Sequence, residues 1–253
     1  MRIASLYRYP VKGLSPEQLD SAELTPGTYF PGDRLFAVEN GASGFDPDAP
    51  KHQPKIKFLM LMRNEALARL RTRFEEAGGT LVIEDEGQVA VRADVGTAEG
   101  RETVAAFFRR FMPQELRGEP RWLTAPSGFR FTDSATGYVS LINLASVRAV
   151  ENLVDAAVDP LRFRGNVYIE GLEAWAEFDL VGQEIETASG ARLRVTQRTE
   201  RCAATNVDPV TGLRDLNIPR ALARHLGHAD LGVYAEVVRG GTIAAGDALS
   251  TAA

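Results

Sequence analysis

Arg192-Leu193-Arg194-Val195-Thr196-Gln197-Arg198-Thr199-Glu200-Arg201-Cys202 begins as a strict alternation. Leu193 and Val195 fall on one side and Arg192, Arg194 and Thr196 on the other, the pattern of a strand with one buried face. Gln197 and Thr199 interrupt the apolar side, so the strand is predicted to end near Thr196. Arg201 and Cys202 then follow as a cation and a thiol beyond its end. Cys202 is the one cysteine of the chain, and nearby cations favour the thiolate, the form that acts as nucleophile or soft-metal ligand. A lone cysteine is also often a small buried hydrophobe. The pattern by itself leaves both duties open.

Outward from this strand the chain is cut by turn signals into short apolar runs. Strands are predicted over 3–9, 35–38, 81–83, 89–92, 121–124, 129–132, 166–169, 179–185, 233–238 and 242–244. Asp85-Glu86-Gly87 joins two of them as a hairpin. Four helical stripes stand among them. Leu67, Leu70 and Phe74 form one, closed by Gly78-Gly79; Val104, Phe107, Phe108 and Phe111 form the second, ended by Pro113. Leu144, Val147 and Val154 line a third, and Pro219 opens a fourth that carries Leu222 and Leu226 and stops at Gly227. Strands outnumber helices without regular alternation, which predicts a β-rich α+β fold built on a β-barrel rather than a doubly wound sheet. Gly118-Glu119-Pro120 is the predicted boundary between two modules, residues 1–117 and residues 118–253.

The 253 residues, 44% hydrophobic and 25% charged, suffice for a large core and match a globular protein. A net charge of −5 argues against general nucleic-acid binding, which needs a basic excess. No apolar run has the length of a membrane span, and Met1-Arg2-Ile3-Ala4-Ser5 leads into a strand pattern rather than a signal peptide. One cysteine permits neither an internal disulfide nor an iron–sulfur cluster on four thiolates, so a cytoplasmic setting is expected. His52, His225 and His228 are too few for an ordinary zinc site. G-x-S-x-G, Walker-type and H-E-x-x-H motifs are absent, and Asp133-Ser134 has no histidine close in sequence.

Candidate chemistry clusters in a few segments. Leu161-Arg162-Phe163-Arg164-Gly165-Asn166-Val167 alternates, and as a strand it would present Arg162, Arg164 and Asn166 on one face. Two guanidiniums and an amide make an anion cradle; the same pattern fits a solvated face with salt bridges. Tyr9-Pro10-Val11-Lys12 and Gly32-Asp33-Arg34 each deliver one cation beside a strand. Asp208-Pro209-Val210-Thr211-Gly212 is a turn in which Asp208 either orients a ligand or caps the turn.

Taken together, these islands resemble the MOSC family in its two-part form, an N-terminal MOSC β-barrel module ahead of the MOSC domain. Tyr9-Pro10-Val11-Lys12, Gly32-Asp33-Arg34, Ser140-Leu141-Ile142-Asn143, Leu161 through Asn166, Arg201-Cys202 through Gly212, and Asp230-Leu231-Gly232-Val233-Tyr234 stand in the family's order. The resemblance implies a MOSC-type barrel with a smaller N-terminal barrel-like module and peripheral helices. It also implies binding of the molybdenum cofactor, molybdopterin, with Cys202 as metal ligand. Lys12, Arg34, Ser140, Arg164, Asn166 and Arg201 are then the expected cofactor contacts, and Asp208 joins Cys202 as a catalytic candidate. Gly13 and Gly165 depart from the family's serine and proline, and Glu200 stands where a serine is usual.

Relatives of the amidoxime-reducing type imply an oxidoreductase that reduces small N-oxygenated substrates and draws on an external electron-transfer protein. The family's occurrence within cofactor sulfurases implies a different duty, a carrier of cofactor or of persulfide sulfur on Cys202 for an accepting enzyme. A barrel that recognises some other small anion is the third reading. Pyridoxal phosphate is not expected, because the chain lacks the large module that binds it. Neither nucleic acid nor membrane is an expected partner.

Overall fold

The computed structural model describes residues 1–135 and 138–252, and the described chain is β-rich α+β. In chain order the strands are β1 (Arg2–Arg8), β2 (Glu17–Leu19), β3 (Ser21–Leu24), β4 (Phe36–Asn40), β5 (Arg71–Glu75), β6 (Thr80–Asp85), β7 (Gln88–Asp94) and β8 (Pro120–Thr124). They continue as β9 (Val139–Asn143), β10 (Val167–Glu170), β11 (Glu184–Thr187), β12 (Arg192–Glu200), β13 (Asp230–Arg239), β14 (Gly241–Ala244) and β15 (Leu249–Thr251). The α-helices are α1 (Ala98–Phe111), α2 (Leu144–Val154) and α3 (Ile218–Leu226). Among the described residues no helix is long and apolar enough to cross a membrane.

Eight strands curl into a half-barrel sheet in the order β15-β11-β12-β13-β9-β10-β1-β2. Alternation along the strands separates two buried layers. Leu141, Val167, Ile169, Val195 and Val233 enter one core. Their neighbours Ile142 and Tyr168 pack instead with Val147 and Val150 of α2 and Ile218 and Leu222 of α3. In the smaller module β4 pairs with β8, and β5-β6-β7 form a sheet. Val104, Phe107 and Phe108 of α1 share a core there with Leu81, Ile83 and Trp122.

Helix ends follow from local chemistry. The Thr97 hydroxyl accepts from the Gly100 amide at 3.0 Å and starts α1. Asn143 caps α2 by accepting from the Ala145 amide at 3.1 Å. Pro219 sits in the first turn of α3, and Gly227, left-handed at φ 77°, ends it.

The two parts are joined where β1 runs on past Arg8. Arg34 N donates to Tyr9 O at 2.8 Å, Phe36 N to Pro10 O at 2.9 Å and Lys12 N to Phe36 O at 2.8 Å. The N-terminal strand of the chain therefore belongs to the large sheet, while the residues just after it pair with the start of β4.

Several sequence expectations are corrected by the structure. The Leu67, Leu70, Phe74 stripe is not a helix: Glu65–Arg69 is a 3₁₀ turn and Phe74 lies in β5 opposite Leu81. Three apolar residues fit both periods, and pairing with β6 decided between them. Residues 129–132 make no strand, because Phe129 N closes a turn on Pro126 O and Phe131 N bonds Arg34 O. Residues 179–185 divide into a 3₁₀ turn, Ala176–Leu180, and β11, with Gly182 at φ 89° between them. The alternating segment 161–167 is also not a strand. Asp159 caps Leu161 N at 2.8 Å to start the 3₁₀ turn Pro160–Phe163, Arg164 is left-handed, and β10 begins only at Val167. Finally, β12 continues past Thr196 to Glu200 by slipping register against β13 after Val195 and after Arg198. Such bulges reset the alternation that the sequence had broken.

Candidate functional site

At the seam of the two parts lies a cleft of about 250 Å³. Most of the expected site residues meet there. Lys12 arrives from the segment after β1, Arg34 from the turn before β4, and Ser140 from β9. Arg164 and Asn166 come from the turn before β10, and Arg201 and Cys202 from the end of β12. Asp208 is not among the lining residues.

Cys202 is half-buried and precedes the short 3₁₀ turn Ala203–Asn206. Its carbonyl accepts from Thr205 N at 3.1 Å and from the Thr205 hydroxyl at 3.0 Å. That closed turn fixes the backbone bearing the sulfur. Below it, the buried Arg162 guanidinium grips Asp215 twice, at 2.8 and 2.7 Å, and Asp208 at 3.0 Å, and donates to Asn206 O at 3.2 Å. Asp208 uses its other oxygen to accept from Val210 N at 2.9 Å and Thr211 N at 2.7 Å. Burial opposes the Asp208 charge, yet these bonds and Arg162 hold its pKa below the ordinary carboxylate value. These bonds hold the turn after Cys202.

The other expected contacts divide by what their polar atoms already do. Asn166 accepts from Ser140 N at 3.1 Å and donates to Tyr7 O at 3.2 Å, tying β9 and β1 together on either side of β10. Arg201 donates to Leu231 O at 2.7 Å and Phe163 O at 3.0 Å, so its guanidinium is occupied by carbonyls. Burial lowers its pKa.

Arg34 and Arg164 differ from these. Arg34 Nη1 meets Asp33 at 2.5 Å, and burial of the guanidinium is outweighed by that carboxylate, so its pKa lies above the ordinary value. Arg164 Nη1 donates to Leu14 O at 2.8 Å, while its buried Nη2 has no acceptor among the described residues. Burial, and then the positive charge of Arg34, bring the Arg164 pKa down to about 10. A guanidinium in that state favours an added anion.

Lys12 is buried, donates to Phe131 O at 3.0 Å and pairs with Asp133. Burial lowers its pKa, and Asp133 works against that shift. Lys55 Nζ lies 3.8 Å from the other oxygen of Asp133. Partial loss of hydration at the half-exposed Asp133 carboxyl raises its pKa, but Lys12, Lys55 and Arg34 overcome it and hold the carboxyl at about 2. A depressed carboxylate pKa means that the link is at full strength above the ordinary value near 4 and is lost as pH falls through about 2. The Asp133 side-chain carbon resonance followed by NMR is therefore expected to titrate near pH 2, and a midpoint near 4 would contradict the pairing.

The structure also accounts for the two glycine departures. Gly13 has φ 82°, and an added Cβ would sit 3.0 Å from Leu59 O, a place poorly suited to serine. At Gly165 a Cβ would come within 2.4 Å of Ile142 Cγ1, and the Gly165 amide donates to the Tyr168 hydroxyl at 3.2 Å. Proline would lose that bond. Glu200 is exposed and lines the cleft beside Thr199.

Sequence reasoning passed over Asp133, Lys55 and Tyr9 as parts of the site. Lys12 and Asp133 are 121 positions apart, and no local pattern reports such a pairing. Tyr9 was visible only as the residue opening the Tyr9-Pro10-Val11-Lys12 motif. Its ring is fully buried, and the guanidinium carbons of Arg34 and Arg164 lie 4.4 and 4.2 Å from the ring centre.

Two family models match the chain: the MOSC N-terminal beta barrel domain over residues 1–124 and the MOSC domain over residues 129–250. No curated protein matches. Among solved structures the chain is similar to the YUAD protein from Bacillus subtilis, at 15% identity and a TM-score of 0.46, with 98% of this chain and 93% of that one covered. It is also similar to YiiM from Geobacillus stearothermophilus, at 19% identity and a TM-score of 0.36, with 46% of this chain and 54% of that one covered. Neither likeness is close enough to carry an argument. The two family models, however, span both the half-barrel sheet and the smaller module, and the chain belongs to the MOSC domain family.

Proposed function

We propose that this chain binds the molybdenum cofactor in the seam cleft and reduces small N-oxygenated substrates with it. The family is one associated with that cofactor. The observation that carries the reading is the meeting in a single cleft of one half-buried thiol with two arginines, of which Arg34 is ion-paired with Asp33 and Arg164, among the described residues, is not paired with a carboxylate.

The donor set fits the group. Cys202 offers one thiolate, the kind of ligand a soft metal prefers. Among the described residues, no three His, Cys, Asp or Glu side chains gather as a metal cage, so the remaining ligands would come from the cofactor itself. Arg164 has a buried N–H without an acceptor among the described residues, and Arg34 stands beside it. Both are suited to an anionic tail such as a phosphate. When bound, the cofactor supplies the two-electron chemistry that cleaves an N–O bond.

The chain's own residues bind and orient. Arg34 and Arg164 would hold the anionic end, and Cys202 the metal end, with the closed turn after it fixing the sulfur. Arg162 would keep that turn in place from below. Reduction of a hydroxylamine consumes two electrons and two protons and releases water, so an external electron-transfer protein completes the cycle.

The test is turnover of hydroxylamine or benzamidoxime by cofactor-loaded protein with a chemical reductant. Substrate-dependent oxidation of the reductant supports the reading. Cofactor-loaded protein that turns over neither substrate, yet hands its cofactor or sulfur stoichiometrically to an apo-enzyme, would replace it with the carrier role.

A further inference from the structure

We infer that the bank of the seam cleft beside Cys202 is a cation-selective substrate subsite, with Glu200 as its specificity-determining residue. The substrate class it fits is an N-oxygenated compound that also carries an ammonium group on an aromatic body. The inference deepens the proposed function and rests on that reading for the reaction, though not for the binding.

Among the described residues three carboxylates line the cleft: Asp33, Asp133 and Glu200. Asp33 pairs with Arg34, and Asp133 pairs with Lys12 and lies near Lys55. Glu200 differs from both. It is exposed, and among the described residues its side chain has neither an ion pair nor a hydrogen bond. An unpaired carboxylate at the edge of a site that takes an anion is unfavourable. A cationic group bound beside it would offset that repulsion, and the position two residues before Cys202 puts such a group close to the sulfur.

An irregularity in β12 brings Glu200 there. Thr199, Glu200, Arg201 and Cys202 all line the cleft, whereas neighbours on a regular strand point to opposite faces. The register of β12 against β13 slips between Arg198 and Glu200, and bulges of this kind re-aim side chains. Thr199 is 3% exposed, and its hydroxyl has no partner among the described residues. A buried hydroxyl left unpaired carries a cost that an N–H of a ligand would relieve.

The strand next to β12 adds a flat surface. Tyr234 of β13 and Tyr138, just before β9, both line the cleft, and their rings stack with centroids 5.2 Å apart and planes 23° apart. Aromatic faces pack on flat apolar groups and attract organic cations. A carboxylate without a cation, a hydroxyl without a partner and a pair of stacked rings together suit an aromatic ammonium compound.

The binding experiment uses the full chain purified from cells unable to make the cofactor, titrated with benzylammonium and with benzyl alcohol, its neutral counterpart of the same shape. Backbone amide shifts followed by NMR report the affinity and the place. Benzylammonium is expected to bind about fivefold more tightly than benzyl alcohol and to shift the amides around residues 199–202, the size being that of a solvent-screened charge pair. Glu200→Gln is expected to bring the two affinities within about twofold of each other without weakening benzyl alcohol, and Glu200→Asp to keep most of the preference. Cofactor-loaded protein is then expected to reduce 4-(aminomethyl)benzamidoxime with a kcat/KM about fivefold above that of 4-(hydroxymethyl)benzamidoxime, and Glu200→Gln to remove the difference.

The inference is overturned if the unaltered chain binds the two probes equally, or binds neither in the millimolar range. Glu200→Gln that keeps the full preference for benzylammonium would overturn it too. Selective, Glu200-dependent binding in a protein that reduces neither amidoxime would sink the proposed reduction and leave the subsite standing. Turnover of both amidoximes with equal kcat/KM, unchanged in Glu200→Gln, would do the reverse.

Discussion

Cys202→Ser is expected to lower turnover of an N-oxygenated substrate by more than about a hundredfold, since even partners one shell removed from a metal cost 10- to 100-fold when replaced. A serine hydroxyl keeps the size of the side chain but not the soft, readily ionised sulfur. The fold should hardly notice. Cys202 is half-buried, and the bonds that close its turn come from its carbonyl, which serine retains. Thermal unfolding within about 1 kcal/mol of the unaltered chain is therefore expected. Steady-state kinetics beside a melting curve checks both halves. Phosphate binding that survives Cys202→Ser but disappears in Arg164→Ala, in a chain that never shows turnover, would instead favour a barrel that recognises an anion without metal.

Arg162→Met is expected to be the most destabilising of the changes considered, by about 3 kcal/mol, near the low end for removing one partner of a buried ion pair. The Arg162 side chain is 1% exposed, whereas its partners Asp208 and Asp215 are 21% and 43% exposed. Those carboxylates can recover some hydration, which keeps the loss from being larger. Methionine fills much of the volume but leaves Asn206 O without its donor and frees the loop beyond Cys202. For a chain of this size the change corresponds to a fall in melting temperature of about 6–12 °C. Calorimetry showing a shift under about 2 °C would mean that the turn below the sulfur is held by something else. Arg162 reads in the sequence as one of three residues on an anion-binding face; in the structure it braces that site and does not belong to its open cationic pair.

The contrast between Arg162 and Arg164 shows where the sequence was legible. Alternation through residues 161–167 suggested a strand with both arginines on one face. The Asp159-Pro160 pair, a cap followed by a first-turn proline, carried the opposite instruction and prevailed. The turn it makes sends Arg162 under the cysteine loop and Arg164 over Tyr9. Helices with both a stripe and end signals, α1 before Pro113 and α3 between Pro219 and Gly227, were readable because those end signals and the periodicity agreed. The Leu67, Leu70, Phe74 stripe had too few residues to separate the two periods. The gathering of Lys12, Arg34, Arg164 and Cys202 could be expected only from the order of the motifs as a family pattern, since no local rule brings residues that far apart into one cleft. Asp133 escaped for the same reason: its meaning lies in Lys12 and Lys55, and each is remote along the chain.

The most direct measurement is the molybdenum and pterin content of the chain purified from cells that make the cofactor, by elemental analysis and by fluorescence of the oxidised pterin. The account predicts comparable, near-stoichiometric amounts of both in the unaltered chain, with molybdenum lost from Cys202→Ala. Protein that emerges with neither metal nor pterin from such cells, or Cys202→Ala that keeps its full complement of molybdenum, would contradict it.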